Sequence, residues 1–398
     1  MKILYLSLEF PIPVNNGHRL RLWSILESLA ALGHKITLVS LAEEGEVREN
    51  LDPLKQICHR VEVVPHHLRR LGSSSDYGGR LRALLSCDAY SLRRFRSPRM
   101  RSRVEQCIRE EDPNVIISDT IFSVGNLPET RVPLCINNPD VEHVIVQRYA
   151  NSSKNPLIRF YANMEAKLVR AWEQYVCRSA RVCMACSEQD RLALSSLAPT
   201  ARVLVVPNVV KAESYEPSFA STSRSILFQG GMDWLPNRDG VEYFIMQIFP
   251  LIRKDIPDVE FVGAGRNPPP ELLGRFSAVP GVKFTGTVPD MRPFLHKADI
   301  CVVPLRIGSG TRLKILESAA AGKAIVSTRL GAEGLNFLEG EEILLADEPE
   351  AFAAAVTSLL RDPMKRRAMG EAACRRVRAD YSYARLKTCL QEALSSVS

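Results

Sequence analysis

Short apolar runs that read as strands alternate with helical stretches along the whole chain, and the alternation pauses once before starting again. The first series is Lys2 to Leu8, Lys35 to Leu41, Arg60 to Pro65, Val115 to Asp119, Pro133 to Asn137, Arg181 to Ser187 and Val203 to Asn208. The second is Ser225 to Gly230, Val259 to Ala264, Val282 to Gly286, Ile300 to Pro304, Ala324 to Thr328 and Ile343 to Ala346. Strands joined through helices pair in parallel, because a parallel neighbour can be reached only by a long crossover. Between the series, Val209 to Arg224 is polar, carries Pro217 and a Ser-Thr-Ser cluster at 221 to 223, and reads as a linker.

The expected fold class is therefore α/β, with two Rossmann-like doubly wound domains facing a cleft, at 1–208 and 225–375. A C-terminal helical segment, 376–398, is expected to pack back on the first domain. At 398 residues the chain exceeds one ordinary core, in keeping with two domains. In such sheets ligands bind beyond the carboxyl ends of the strands, and one loop there has a telling content. After Ile300 to Pro304 comes Gly308-Ser-Gly-Thr-Arg-Leu-Lys-Ile-Leu-Glu317. Gly308 and Gly310 free the backbone to bend, Thr311 to Ala321 is rich in helix formers, and Gly322 stands where a helix commonly ends left-handed. A helix amino terminus offers free N–H groups and partial positive charge, and Arg312 and Lys314 add two full charges. Phosphate is the expected guest of Ser309, Gly310, Thr311, Arg312 and Lys314. Glu317 suits hydroxyl donors instead. Phosphate beside hydroxyls describes a nucleotide or a nucleotide sugar. The competing reading makes Lys314 and Glu317, three apart on one helix, a solvated ion pair.

Composition narrows the classes. The chain is 45% hydrophobic and 24% charged, and no apolar run approaches the roughly 20 residues that span a bilayer. The start, Ile3 to Leu8, is cut off at Glu9 without a small-residue cleavage site, so a first strand and a cytoplasmic location are expected. The ten cysteines follow no framework; Cys183 and Cys186 have CxxC spacing inside a strand-like run, with no second pair for zinc. Net charge is +7, and ten Arg against two acids, Asp76 and Asp88, fall between His66 and Arg103. Two readings stand for 66–103: peripheral contact with an anionic membrane at its inner face, or a solvated basic surface. A nucleic-acid partner is not expected, because no binding motif accompanies the basic run. Neither GxGxxG after the first strand nor GxxxxGK[ST] is present, which disfavours nicotinamide, flavin and P-loop enzymes. Asp-x-Asp is absent, so no metal is expected and the loop cations would meet the phosphates.

Four stretches resemble the GT-B-fold glycosyltransferases of the family 4 type, over nearly the full length. They are Pro11 to Gly17 with Arg19 and Arg21; Asn137-Asn-Pro-Asp-Val-Glu-His143 with Arg148; Phe228 to Asn237 with Asp239-Gly240; and a donor-domain set. That set is Val262-Gly-Ala-Gly265, Gly286 to Asp290 and the Gly308 loop, ending in Gly331-Ala-Glu-Gly334. The resemblance implies a retaining, metal-independent hexosyltransferase without a cofactor. Its substrates would be a UDP-, GDP-, ADP- or dTDP-sugar and a glycan, lipid-linked or small-molecule acceptor, in polysaccharide or glycolipid biosynthesis. By resemblance Glu317 holds the ribose hydroxyls, and Arg312 and Lys314 neutralise the leaving diphosphate. Gly263 and Gly265 let the base approach backbone, and Gly17 lets its loop lie against the sugar phosphate.

Three positions depart from the family pattern. Ser309 stands where a second Glu is usual, and Gly231 and Asp239 stand near the usual Arg and Lys. Asn138 and Pro139 occupy the neighbourhood of a sugar-orienting His, leaving Asn138 or Asp140 for that catalytic contact. A nucleotide-sugar epimerase on the same fold, or a non-catalytic binding subunit, are the rival readings.

Overall fold

The structure is a computed structural model that describes residues 1–14, 16–43, 51–66, 89–152, 155–219, 223–308 and 310–397. It divides into two compact units, Met1–Pro207 with Leu386–Ser398, and Asn208–Arg385.

The first unit holds seven strands: β1 (Lys2–Ser7), β2 (Lys35–Ala42), β3 (Arg60–Pro65), β4 (Val115–Asp119), β5 (Leu134–Asn138), β6 (Val182–Ala185) and β7 (Val203–Val205). All pairings are parallel, in the order β3-β2-β1-β4-β5-β6-β7. Central strands are buried on both faces, which is why β1 and β4 read as unbroken apolar runs instead of alternating ones. The order reverses direction between β1 and β4. The first helix, Gly17–Ala31, starts at Asn16, whose side chain caps it by accepting from Arg19 N at 2.8 Å, and the chain turns at Gly33 with φ +78°. A 24-residue helix, Pro156–Ser179, returns the chain from β5 toward β6.

The second unit repeats the plan with β8 (Ser225–Gln229), β9 (Glu260–Ala264), β10 (Val282–Gly286), β11 (Ile300–Val303), β12 (Ala324–Ser327) and β13 (Leu344–Leu345). Their order is β10-β9-β8-β11-β12-β13, again parallel, reversing between β8 and β11. Phe228, Phe244, Phe249, Phe261 and Phe352 fill its core. Beyond β13 the chain is helical at Pro349–Arg361, Pro363–Asp380 and Tyr383–Ser395.

The unit boundaries differ from the expected ones. The stretch read as a linker belongs to the second unit because Val210 and Ala212 are buried in its core and Val210 N donates to Tyr381 O at 3.1 Å. The return to the first unit begins at Leu386 instead of residue 376, since Met369, Ala373 and Val377 pack in the second core. Nine cysteines, Cys183 and Cys186 among them, are buried thiols. Most of the basic stretch, 67–88, lies outside the described residues, as does Ser309. Among the described residues no helix is long and apolar enough to cross a membrane.

Candidate active site

In the second unit the Gly308 loop leaves the carboxyl end of β11, beside the reversal point of the sheet. Gly308 and Gly310 have φ of +119° and +76°, and the helix that follows, Leu313–Ala320, is entered from an extended Arg312. This is the loop-to-helix turn that the two glycines announce.

Lys314 and Glu317 are not ion-paired among the described residues; each has its own partner. Lys314 Nζ donates to Asn237 Oδ1 at 2.7 Å and lies 4.2 Å from the centroid of the Phe228 ring. Burial, then the Arg312 charge, lowers its pKa to about 7, against the pull of Glu317. Asn237 also donates from Nδ2 to the Gly231 carbonyl at 2.7 Å, which fixes its amide and so the position of the ammonium. Glu317 Oε1 accepts from the Tyr215 hydroxyl at 3.1 Å. Burial raises the Glu317 pKa, partly offset by that hydrogen bond and by Lys314. Arg312 Nη1 donates to the Gly310 carbonyl at 2.9 Å, and Thr311 Oγ1 is bonded to Asn208 Nδ2.

Gly230 and Gly265, at the ends of β8 and β9, touch each other. Both lie at positive φ, +149° and +155°, and a Cβ on Gly265 would overlap the Gly230 carbonyl. A Cβ on Gly230 would in turn come within 2.8 Å of both Lys314 Nζ and Asn237 Nδ2, so a side chain there would crowd that pair. Gly263 is tight for a different reason: a Cβ there would lie 2.8 Å from the Phe284 ring. Asp239 is held by Arg306 at 2.7 Å. The arrangement offers cations and helix N–H groups for a diphosphate, with a carboxylate one turn further along for hydroxyls.

The reversal point of the first sheet carries a second constellation. Asp119, the last residue of β4, is buried and accepts from Asn137 Nδ2 at 2.6 Å, Ser7 Oγ at 3.3 Å and His18 Nε2 at 2.9 Å. Arg21 holds Asn137 through two bonds to Oδ1, at 3.0 and 2.6 Å, and donates to Val206 O at 2.9 Å. Burial works against the charged His18 ring, but Asp119, and behind it Glu9 and Asp140, raise the pKa to about 9. Asp119 is held below the usual carboxylate range: burial opposes ionisation, and the His18 charge and the hydrogen bonds outweigh it.

Of the first-unit candidates, Gly17 is the exposed first residue of its helix. Asn138 is only 2% exposed, and its amide donates to Cys177 Sγ at 4.0 Å. Asp140 is half-buried in the turn after β5. His143 is tied to the buried Glu173 through Nδ1. Asn237, Tyr215, His18 and Asp119 have no place in the expectations. Asn237 stands in a quoted motif, but Tyr215 sits in the supposed linker, and nothing local joins His18 to Asp119. Among the described residues no group of three His, Cys, Asp or Glu is arranged to hold a metal ion.

Comparison with known proteins follows the same lines. A family profile described as "Glycosyl transferases group 1" matches residues 223–362, and one described as "Glycosyl transferase 4-like domain" matches residues 16–209. A Klebsiella pneumoniae protein, described as an uncharacterized 44.6 kDa protein in the cps region, is 22% identical over 368 residues, 88% of this chain and 89% of its own. Sucrose-phosphate synthase from Thermosynechococcus elongatus superposes with a TM-score of 0.75 at 16% identity, covering 100% of this chain and 99% of that one. Anabaena HepE, solved in complex with UDP-glucose, gives 0.67 at 15% identity over 100% of both chains. The two parallel sheets are those of the GT-B fold. With its two halves matched by two glycosyl transferase profiles, the chain belongs to the group 1, family 4 type glycosyltransferases.

Proposed function

We propose that the chain is a retaining, metal-independent glycosyltransferase that takes a nucleotide sugar on its second unit and transfers the sugar to an acceptor hydroxyl. The observation that carries this is the separation of partners at the Gly308 loop. Lys314 is poised by Asn237 for an anion and Glu317 by Tyr215 for hydroxyls, instead of the two neutralising each other. The HepE complex with UDP-glucose supports a nucleotide-sugar donor, and the family supports retention.

As the bond to the transferring sugar breaks, negative charge grows on the leaving diphosphate, and interactions that strengthen with that charge lower the barrier. Arg312 and Lys314 would supply them. Lys314, whose pKa burial lowers to about 7, would be held fully charged by the diphosphate. Glu317 holds the ribose and so keeps the diphosphate in register with the helix terminus. Asp140 is the open catalytic candidate in the first unit; the burial of Asn138 gives it a supporting place under the β5 turn.

A thermal-shift panel of UDP, GDP, ADP and dTDP tests the donor site. One base should raise the melting temperature well beyond the others, because a ligand bound only by the folded state stabilises by mass action. No shift with any of the four removes the proposal. Turnover should also persist in excess chelator. Loss of activity that magnesium or manganese restores would show that a metal, and not the loop cations, meets the diphosphate.

A further inference from the structure

The His18–Asp119 pair is a built site to which the proposed donor chemistry gives no role. It stands where the first sheet reverses, the place at which doubly wound sheets present ligands. From the Val206 carbonyl through Arg21, Asn137 and Asp119 every link is a hydrogen bond between buried groups, and the line ends on His18, whose side chain is 27% exposed. Nε2 is spent on Asp119, and Nδ1 makes no hydrogen bond among the described residues. A ring clamped by a buried carboxylate is fixed in tautomer and direction.

Thr120, directly after Asp119, is a second and independent sign. It is β-branched yet has φ +71°, with its N–H bonded to Asn137 O at 2.9 Å. Such a conformation costs on the order of 1–3 kcal/mol and persists where the surroundings impose it, often at ligand sites.

The charges around the ring select the ligand. Asp119 of β4, Glu9 after β1 and Asp140 after β5 all act on His18. Tyr5 of β1 lies against Asp119, and its pKa is raised well above its ordinary value, first by burial and then by that carboxylate. The Glu142 carboxyl is pushed well up, by burial and then by Asp140 and Glu173. Arg19 is engaged by Glu9 at 2.7 Å and Arg21 by Asn137. The first turn of the helix Gly17–Ala31 favours an anion, but Asp119, Glu9 and Asp140 oppose one at the ring. A sugar would not be repelled, since its oxygens accept from an imidazolium and its hydroxyls donate to carboxylates.

We propose that His18 and Asp119 form a saccharide subsite of the first unit, with the His18 Nδ1–H donating to an oxygen of an uncharged sugar while Asp119 holds the ring. The inference rests on the transferase reading and deepens it: the acceptor presents a neutral sugar at this edge. His18 is then an acceptor-contacting residue of the first unit.

The test is ring-proton NMR of the full chain with labelled histidine, His18 being assigned by His18→Gln. Methyl α-glucoside, methyl α-mannoside, methyl β-galactoside and inorganic phosphate are titrated separately at constant ionic strength. At least one glycoside should shift the His18 signals saturably, and phosphate should not. In the free protein the ring should titrate near 9, so the donor form prevails at neutral pH and is lost as pH rises through that value. In Asp119→Asn the midpoint should fall toward the ordinary imidazole value of about 6.5. Glycoside affinity at pH 7.5 should drop about tenfold with it. No shift with any glycoside, an equal shift with phosphate, or an unmoved midpoint in Asp119→Asn each overturns the subsite. The wild-type titrations decide even where Asp119→Asn does not fold. Nucleotide binding measured in parallel separates the two readings: glycoside shifts without it would sink the transferase and leave the subsite.

Discussion

Glu317→Ala is expected to weaken nucleoside diphosphate binding by roughly tenfold to hundredfold, while a dideoxy analogue lacking the ribose hydroxyls binds about as well as before. The size follows from removing a charged acceptor of two hydroxyls, about 1.5–3 kcal/mol. A surface ion pair would give a different result, with roughly 0–1 kcal/mol of stability lost and affinity untouched. The structure already separates Lys314 from Glu317, so the stability route has little to act on. Lys314 gives the same calorimetry a second signature. Burial lowers its pKa to about 7, so a large share of the amine should be neutral at pH 8. A bound diphosphate favours the ammonium, and binding should take up a proton, visible as a heat that depends on the buffer. Affinity should fall as pH rises above 7, and Lys314→Met should abolish both effects. Unchanged affinity in Glu317→Ala and Lys314→Met together would return the loop to an ordinary helix start.

Gly265→Ala should be still more damaging. The residue is at φ +155°, where side chains are rarely accommodated, and the added Cβ overlaps the Gly230 carbonyl, a backbone atom that cannot swing aside. Strain and the enforced shift together should cost about 3 kcal/mol or more, seen as a lower urea midpoint for the second unit. Gly274→Ala is the matched control. It lies inside the helix Pro270–Phe276 with nothing within 4 Å of its Cβ, so it should stabilise by about 0.5–1 kcal/mol. Equal midpoints for wild type and Gly265→Ala would mean that β8 and β9 do not need this close approach.

These expectations differ in how far the sequence alone reveals them. The strands are legible because each buried parallel strand is a short apolar run with helical spacing between; β3, β4 and β10 begin and end at the expected residues. The glycine loop is legible because positive φ selects glycine, and Gly308, Gly310 and Gly322 all have it. Partnerships are a different matter. Tyr215 meets Glu317 across 102 positions of sequence, and its surroundings, Glu213 to Pro217, look like any polar connector. Val209, Val210 and Ala212 are too few buried residues to register as periodicity, yet the last two suffice to draw that connector into the second core. His18 and Asp119 meet only because the sheet order places β4 beside β1. Asn138, chosen for its place in a motif, turns out to face inward: β5 runs one residue further than its apolar run, to Asn138 itself.

The division of the chain has a consequence for its biosynthesis. The first unit includes Leu386–Ser398, with Leu386, Cys389, Leu390, Ala393 and Leu394 buried. Everything from Asn208 to Arg385 must be translated before those side chains exist. At about 5–20 residues per second, the nascent first unit waits on the order of ten to forty seconds for its last helix. During that interval the apolar surface destined for the helix stays open on the ribosome, a natural landing place for a chaperone. A fragment ending at Pro207 would keep it open for good.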